Sequence, residues 1–368
     1  MPPPSSAGSS PIGARFLHAR GSARRGDDGR RARGQPARTE GRMVMMRLRR
    51  RALPALTAGL AAPAWAQAPF PSRPVVMIVP GAPGGPTDVV GRLLVQHMPA
   101  LIGQPVVLDY RAGAGGQIGM RYVAGAAPDG HTLVIGNTGS VGINPSYYRN
   151  PGYDIARDFA PVSMLMVAPV SLVVRADMPA RTPAELVTRI RAAGGRFSFG
   201  SSGTGQSPHV AAELFRHATG AEFEVVPYRG SAEAVTDLIA GTVQAMFDST
   251  TTIPHVRQGR LRALAVATPE RSPLMPEVPT MAESGFAGFD ISSWYVALAP
   301  TGTPPEAVAK LNAAMGEVLA RPEAAERFAV FNAVPMRGSP GDAGAFLGRQ
   351  LAYWRDVLAR AGIGEGRS

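Results

Sequence analysis

Short apolar runs alternate with amphipathic stretches along the chain from residue 75 onwards. Apolar runs bounded by glycine or proline predict buried strands, and apolar residues at every third or fourth position predict helices. Because strands alternate with helices, we expect an α/β fold whose sheets are mainly parallel and flanked by helices. The predicted strands are 75–79, 104–110, 131–136, 197–200, 223–227, 243–247 and 261–267, and the main predicted helices are 89–102, 209–220, 232–240, 305–320 and 341–361.

Two further β-rich segments predict that the chain passes between two lobes. Residues 162–174 form an apolar stretch that is too long for an average strand and is broken by Pro169. Residues 291–299 form a second stretch of the same kind. We therefore expect a first lobe made of 67–168 and 290–368 and a second lobe, 169–289, inserted into it. The Pro- and Tyr-rich residues 143–162 are expected to wrap the surface.

The first 66 residues are expected to stand apart from this α/β body. Residues 1–42 are rich in Arg, Gly, Ser and Pro, which predicts a disordered basic extension upstream of the true start at Met43, Met45 or Met46. Residues 43–66 contain four arginines, an apolar run and a final Ala-Trp-Ala, the three parts of a secretory signal. The alternative is a disordered basic arm followed by a buried helix. We expect a cleaved signal peptide, by either the general or the twin-arginine route.

The strong positive charge lies almost entirely in this N-terminal part. Thirteen arginines and three acidic residues within 1–66 account for +10 of the formal charge of +11. The remaining 302 residues are therefore nearly neutral. A nucleic-acid partner, which would require a basic folded surface, is not expected.

Glycine-, serine- and threonine-rich turns follow several predicted strands. In the first, at 80–88, Thr87 or Asp88 is expected to cap the next helix. Adjacent glycines let backbone N–H groups approach a ligand, and a helix N-terminus favours anions. Similar turns occur at 138–140, 201–204 and 248–249. Because α/β sheets bind ligands at the carboxyl ends of their strands, these turns predict a site for a small carboxylate.

Other kinds of site are less well supported. Gly113, Gly115 and Gly119 approach a dinucleotide-binding pattern, but no acidic residue follows the next strand, and a tight turn into a helix is the alternative that we favour. Ser202 lacks the glycine that a nucleophile elbow requires, and no acid that would orient His209 can be identified. The chain has no cysteine and no paired-histidine motif, so no metal, cofactor or catalytic residue is expected.

Eight stretches of the chain, in order, resemble one known family. The chain is similar to the periplasmic receptors of tripartite tricarboxylate transporters, the Bug-type substrate-binding proteins, over nearly all of residues 70–363. The stretches that carry the resemblance are IVPGAPGGPTDVVGR, DYRAGAGGQIG, AAPDGHTLVIG, GINPSYYRNPGYDIARDFAPVS, FSFGSSGTGQSPHVAAELF, VPYRGSAEAVTDLIAGTVQAMFD, GRLRALAVATPERSPLMPEVPTMAESG and WYVALAPTGTP.

The resemblance implies a two-lobed type II periplasmic-binding fold that closes around a small organic acid. It also implies a periplasmic monomer that delivers its ligand to membrane permease subunits; a sensor protein as the partner, or a serine hydrolase, are the alternatives. The ligand itself is not encoded clearly, because main-chain groups and water hold the carboxylate in this family. The ligand-binding residues that we predict are Gly84, Gly85, Pro86, Thr87, Asp88, Thr138, Gly139, Ser140, Ser201, Ser202, Gly203, Thr204, His209, Asp248 and Ser249.

The chain departs from the family pattern at two places. Gly81 stands where the family usually has phenylalanine, which is expected to enlarge the floor of the cleft. The sequence Asp-Tyr-Arg-Ala at 109–112 replaces the usual Glu-Asn-Arg-Pro, with little expected consequence for binding.

Overall fold

Two sheets, joined by strands that pass from one to the other, organise the part of the chain described by the computed structural model, residues 69–364. The predicted extension 1–42 and signal peptide 43–66 lie outside these residues. We call the elements around the six-stranded sheet the first lobe and those around the five-stranded sheet the second lobe.

The first lobe contains both ends of the described chain. Its strands are β1 (Val75–Val79), β2 (Val106–Tyr110), β3 (Thr132–Asn137), β4 (Phe159–Pro169), β10 (Ser292–Pro300) and β11 (Val334–Pro335), and its helices are α1 (Pro86–Ile102), α2 (Gln117–Ala124), α3 (Asn144–Tyr147), α4 (Ile155–Asp158), α9 (Pro305–Ala320), α10 (Pro322–Ala329) and α11 (Pro340–Ala361). A 3₁₀ turn, Ala114–Gly116, precedes α2, and a π-helical turn, Thr138–Ile143, follows β3.

The second lobe is continuous in sequence. Its strands are β5 (Ser171–Arg175), β6 (Ser198–Ser201), β7 (Glu224–Pro227), β8 (Ala245–Asp248) and β9 (Leu261–Val266), and its helices are α5 (Pro183–Ala192), α6 (Ser207–Thr219), α7 (Ser231–Ala240) and α8 (Ile253–Arg257). The predicted α/β architecture with two sheets is present, and each predicted strand overlaps an observed one.

The sheets are mixed, whereas mainly parallel sheets were expected. The strand orders are β11-β4-β10-β3-β1-β2 and β7-β6-β8-β5-β9. The pairs β1–β2, β1–β3, β6–β7 and β6–β8 are parallel, and all other strand pairs of the two sheets are antiparallel. The alternation of strands and helices predicts the parallel units correctly. It fails for β5 and β10, which arrive from the other lobe, because no helical crossover within one sheet fixes their direction, and it does not account for the antiparallel edge strand β11.

The crossing strands are bonded to one another between the lobes. Only Val170 separates β4 from β5, so the predicted crossing at Pro169 is a change of sheet within one extended segment. The N–H of Val170 donates to the carbonyl of Ile291 (3.3 Å), and the N–H of Ala267 donates to the carbonyl of Val170 (2.7 Å). These bonds hold the outgoing and returning segments side by side at the junction between the two sheets.

The long C-terminal helix α11 packs on both lobes. Near its start, Ala343 and Leu347 are buried in a first-lobe cluster with Trp294. Near its end, Trp354 and Leu358 are buried in a large apolar cluster that is made mostly of second-lobe residues and also includes Ile143 and Tyr147 of the first lobe. The apolar core beneath the second sheet therefore includes residues from the end of the chain.

Local sequence signals predict some helix boundaries well and others poorly. Thr182 caps α5 by accepting from the N–H of Glu185, as the sequence predicts. The cap of α1 was predicted wrongly: Gly85 occupies that position and makes no side-chain bond, because Pro86 starts the helix ahead of Thr87. Helix α10 was not predicted.

The segment 143–162 is less superficial than expected. It contains α3 and α4, and Tyr147 and Tyr153 are buried. The Tyr153 hydroxyl donates a short hydrogen bond to the carbonyl of Ser140. These tyrosines therefore hold the segment against the body of the protein instead of leaving it on the surface. Within residues 69–364, no helix has the length and apolarity needed to cross a membrane.

Candidate functional site

A cavity of about 780 Å³ lies between the lobes, where the carboxyl ends of strands from both sheets face each other. We call it the interlobe cavity. Its walls are formed by the turns after β1, β2, β6, β7 and β8 and by residues of β10. This is the position at which open α/β sheets bind ligands.

Four helices begin at the wall of this cavity. The first residues of α1, α2, α6 and α7, which are Pro86, Gln117, Ser207 and Ser231, all line it. Each helix N-terminus carries about half a positive charge and several N–H groups without helical partners. Their convergence gives the interlobe cavity a positive field without a cluster of basic side chains.

Among the described residues that line the cavity, Arg229 is the only charged one. Thr87, Ser202, Thr204 and Ser249 add hydroxyl groups, and none of the lining residues is acidic. Because hydroxyl and N–H donors satisfy carboxylate oxygens and no carboxylate repels them, the lining suits an organic anion.

Asp88 holds the first-lobe turn from behind. Its side chain accepts hydrogen bonds from the Gly84 N–H (2.8 Å), Arg92 Nε (2.9 Å) and the Tyr110 hydroxyl (2.5 Å). Although burial alone raises the pKa of Asp88, these three hydrogen bonds outweigh it and lower the pKa. A charged Asp88 therefore fixes Gly84, whose φ of +82° is left-handed, and so shapes the turn that lines the cavity.

The glycine-rich turn between β2 and α2 also lines the cavity. Residues Ala112–Gly116 are all in the wall, and Gly115 has a φ of +60°. A Cβ at Gly115 would lie 2.5 Å from the carbonyl oxygen of Thr204 in the second lobe. The sequence interpretation of this stretch as a tight turn into a helix agrees with the structure, but it missed the position of the turn in the cavity wall.

The lobes touch on both sides of the cavity. Gln206 Nε2 donates to the carbonyl of Gly115 (2.7 Å), and the Tyr148 hydroxyl donates to the carbonyl of Thr204 (3.1 Å). On another part of the wall, a Cβ at Gly230 would lie 3.4 Å from the Cβ of Ala82. The two lobes are therefore in contact at two parts of the wall, through Gln206 and Tyr148 at one and through small residues at the other.

The structure separates the predicted ligand residues into two groups. The first group lines the interlobe cavity: Gly85, Pro86, Thr87, Ser202, Gly203, Thr204 and Ser249. The second group does not line it: Gly84, Asp88, Thr138, Gly139, Ser140, Ser201, His209 and Asp248.

Most of the second group supports the wall from behind. The Thr138 hydroxyl accepts from the N–H of Trp294 (2.8 Å), and Ser140 is part of the cap formed by Asn137. Asp248 is fully buried and accepts from the N–H of Thr252 (2.8 Å). Burial raises the pKa of Asp248. Its carboxyl therefore organises the turn beside Ser249 from beneath the wall.

His209 lines a different cavity. This second pocket, of about 490 Å³, is bounded by residues of α6 and by the end of α11. His209 is buried against Tyr147 (ring centroids 5.7 Å apart), and burial lowers its pKa to about 4. Because Ser202 lines the interlobe cavity and His209 lines the second pocket, the two do not share a site as a nucleophile and base would.

Several lining residues were not predicted from the sequence. They include Asn137 and Gln206, which lie beside the predicted turns 138–140 and 201–204 but were not selected. They also include Ser293 and Tyr295 of β10, where core packing was the favoured interpretation of the tyrosine and a place in the cleft wall was the alternative. The β7–α7 turn, with Tyr228 and Arg229, also belongs to the wall. Its signal in the sequence, a strand that ends before a glycine and a helix, is the same as that of the turns that were chosen. Within residues 69–364 no group of metal-ligating side chains is present.

Two lobes that close on a cavity of helix N-termini and neutral donors define a two-lobed solute-binding protein. The chain belongs to the tripartite tricarboxylate transporter receptor family, whose family model matches residues 90–363. This confirms the resemblance and the fold that the sequence predicts. The family is one of solute-binding receptors and is not an enzyme family.

Known relatives agree along most of the chain. Protein BugT of Bordetella pertussis is 37% identical over 308 residues, which cover 83% of this chain and 94% of BugT. The structure of the periplasmic binding protein BugD is 34% identical with a TM-score of 0.76, covering 80% of this chain and 99% of that one. The structure of R. palustris Rpa4515 with adipate is 36% identical with a TM-score of 0.77, covering 80% and 99%.

Proposed function

We propose that this protein is a periplasmic receptor that captures a small carboxylate between its lobes and delivers it to the membrane subunits of a tripartite tricarboxylate transporter. The observation that carries the proposal is the convergence of four helix N-termini on an interlobe cavity whose lining has no acidic residue. The adipate bound to the related Rpa4515 supports the same ligand class.

The ligand contacts in this proposal come from both lobes. Thr87 and the N–H groups at the start of α1 contribute from the first lobe, and Ser202, Thr204 and Ser249 contribute from the second. A ligand that bridges the two walls binds the closed form better than the open form and shifts the population towards it. Asp88 and Asp248 act indirectly, by fixing the turns that present these groups.

Thermal unfolding with and without organic acids tests the ligand class. The protein is expressed in a Gram-negative host, purified from the periplasm, and mixed with mono-, di- and tricarboxylates. A ligand at 100 times its dissociation constant stabilises the fold by about 2.7 kcal/mol. We expect such a shift with at least one carboxylate and no chemical change in that acid. If every carboxylate leaves the transition unchanged, the proposed ligand class is wrong.

A matched pair of serine variants tests the site. Ser202→Ala removes a hydroxyl from the cavity wall, whereas Ser146→Ala removes one from an exposed position that does not line it. Because a hydrogen bond to a charged group contributes about 1.5–3 kcal/mol, Ser202→Ala is expected to weaken binding by roughly 10- to 150-fold. Equal affinities for the two variants would remove Ser202 from the proposed contacts, and loss of ester turnover in Ser202→Ala would favour a hydrolase.

Export and delivery have their own tests. We propose that residues 43–66 are a signal peptide removed on export, so the N-terminal sequence of the periplasmic protein should begin near Gln67. Cross-linking in cells with the ligand present should then capture permease subunits. Capture of a sensor protein would instead support the signalling alternative.

A further inference from the structure

The interlobe cavity is large compared with its charge. Its volume of about 780 Å³ lies in the upper part of the range of 300–1,000 Å³ found for pockets that bury drug-sized ligands. A short dicarboxylate would fill little of this space. Besides the four helix N-termini, its two negative charges would meet a single cationic side chain, Arg229, among the described lining residues.

Three tyrosines contribute to the wall of the cavity. Tyr148, Tyr228 and Tyr295 all line the cavity. The hydroxyl of Tyr228 donates to Asp237 (2.6 Å), and that of Tyr148 donates to the carbonyl of Thr204. Because these two hydroxyls are already bonded to protein atoms, the rings are the parts of these side chains most available to a ligand.

Gly81 leaves open space in the same wall. It lines the cavity, and a Cβ at this position would meet no heavy atom within 4 Å. Its backbone is not in the left-handed region, so a larger side chain could be placed there without backbone strain. The missing side chain is therefore a direct determinant of the space available to a ligand.

From the volume, the single cationic side chain, the aromatic rings and the open position at Gly81, we infer that the site takes an aromatic monocarboxylate in preference to short aliphatic di- and tricarboxylates. The inference rests on the proposed function of carboxylate capture. The carboxylate meets the N–H and hydroxyl donors, and the flat ring packs against tyrosine rings of the wall, where offset and edge contacts are favourable. Gly81 sets the upper limit of ligand size.

Calorimetric titration of the full exported protein tests this specificity. The probes are benzoate and 4-hydroxybenzoate as aromatic monocarboxylates, and succinate, adipate and citrate as aliphatic ones. We expect at least one aromatic probe to bind tenfold or more tightly than every aliphatic probe. If an aliphatic probe binds more tightly than both aromatic ones, the inference is wrong and carboxylate capture stands. If none of the five binds, the inference fails, and the wider carboxylate screen decides whether carboxylate capture fails with it.

Two glycine variants test the role of Gly81. Gly81→Phe fills the open space and is expected to weaken the aromatic probe at least tenfold. Gly348→Phe adds the same ring at an exposed position outside the cavity, where a Cβ also meets nothing within 4 Å, and should leave affinity unchanged. The thermal unfolding transition of Gly81→Phe, compared with that of Gly348→Phe, separates filling of the cavity from misfolding. Unaltered affinity in a folded Gly81→Phe would refute the size limit.

Discussion

Gln206 is a second-lobe side chain that is seated in the first lobe, and its removal should loosen the closed form. Its amide nitrogen donates to the carbonyl of Gly115 (2.7 Å), which also accepts from Asn144 Nδ2 (2.8 Å). The amide lies directly over Gly139, where a Cβ would be 2.6 Å from Gln206 Oε1. Gln206→Ala removes the hydrogen bond, and Gly139→Ala places a methyl group in the space that the Gln206 amide occupies.

The size of the effect follows from one neutral hydrogen bond. Such a bond contributes about 0.5–1.5 kcal/mol, which corresponds to a shift of about 2- to 12-fold in the equilibrium between closed and open forms. If the closed form is the minor one without ligand, the apparent dissociation constant rises by the same factor. Because both substitutions disrupt the same contact, the double variant should lose no more affinity than the single variant with the larger loss. The two losses are then not additive.

Calorimetric titration with a carboxylate that stabilises the wild type measures the affinities, and X-ray scattering without ligand measures the closure. The control is Gln258→Ala, which removes an exposed amide that accepts from Arg260 of the same lobe. Scattering curves and affinities of Gln206→Ala that match this control would refute the role of Gln206 in closure. Additive losses in the double variant would show that Gly139 acts independently of it.

Three further substitutions have defined outcomes. Asp88→Asn should lower the free energy of unfolding by about 1–3 kcal/mol at neutral pH. Because the pKa of Asp88 is lowered on folding, this difference from wild type should shrink as the pH falls below about 4. Urea titrations at several pH values measure both effects. His209→Asn should lose less stability than wild type as the pH falls from 6.5 to 4. Because the pKa of His209 is lowered to about 4 in the folded protein, the unfolded wild type takes up a proton first and the fold loses up to about 3 kcal/mol. Parallel pH profiles for the variant and wild type would contradict this. Trp354→Ala should lower the free energy of unfolding by about 3–5 kcal/mol, because the ring is buried. A free energy of unfolding within about 0.5 kcal/mol of wild type would show that the cluster around Trp354 does not need it.

The strand ends could be located from the sequence, but the direction of individual side chains there could not. Ser201 and Ser202 are neighbours in one polar turn, yet Ser201 is fully buried while Ser202 lines the cavity. Asp248 and Ser249 divide in the same way. Successive side chains of an extended segment point to opposite faces, so a polar turn predicts a site without telling which members face it.

Contacts made by closure were outside the reach of the sequence patterns. Nothing in the stretch that contains Gln206 indicates its contacts with Gly115 and Gly139, which are about 91 and 67 positions away. Tyr110, whose replacement of the usual family residue was expected to matter little, bonds to Asp88 and thereby supports the first turn. The Gln206 contacts depend on how two separate lobes meet, and the Tyr110–Asp88 bond depends on how β2 and α1 pack within one lobe. Local periodicity encodes neither.

Helix α11 limits how freely the two lobes can be exchanged between relatives. A chimaera that transplants 169–289 would carry the second sheet. Trp354 and Leu358, which are buried in the same apolar cluster as much of that lobe's core, would still come from the recipient. Specificity grafts should therefore fold more reliably when the second half of α11 is transferred with the lobe. Among related proteins, substitutions in the second-lobe core are likewise expected to be accompanied by compensating substitutions at the end of the chain.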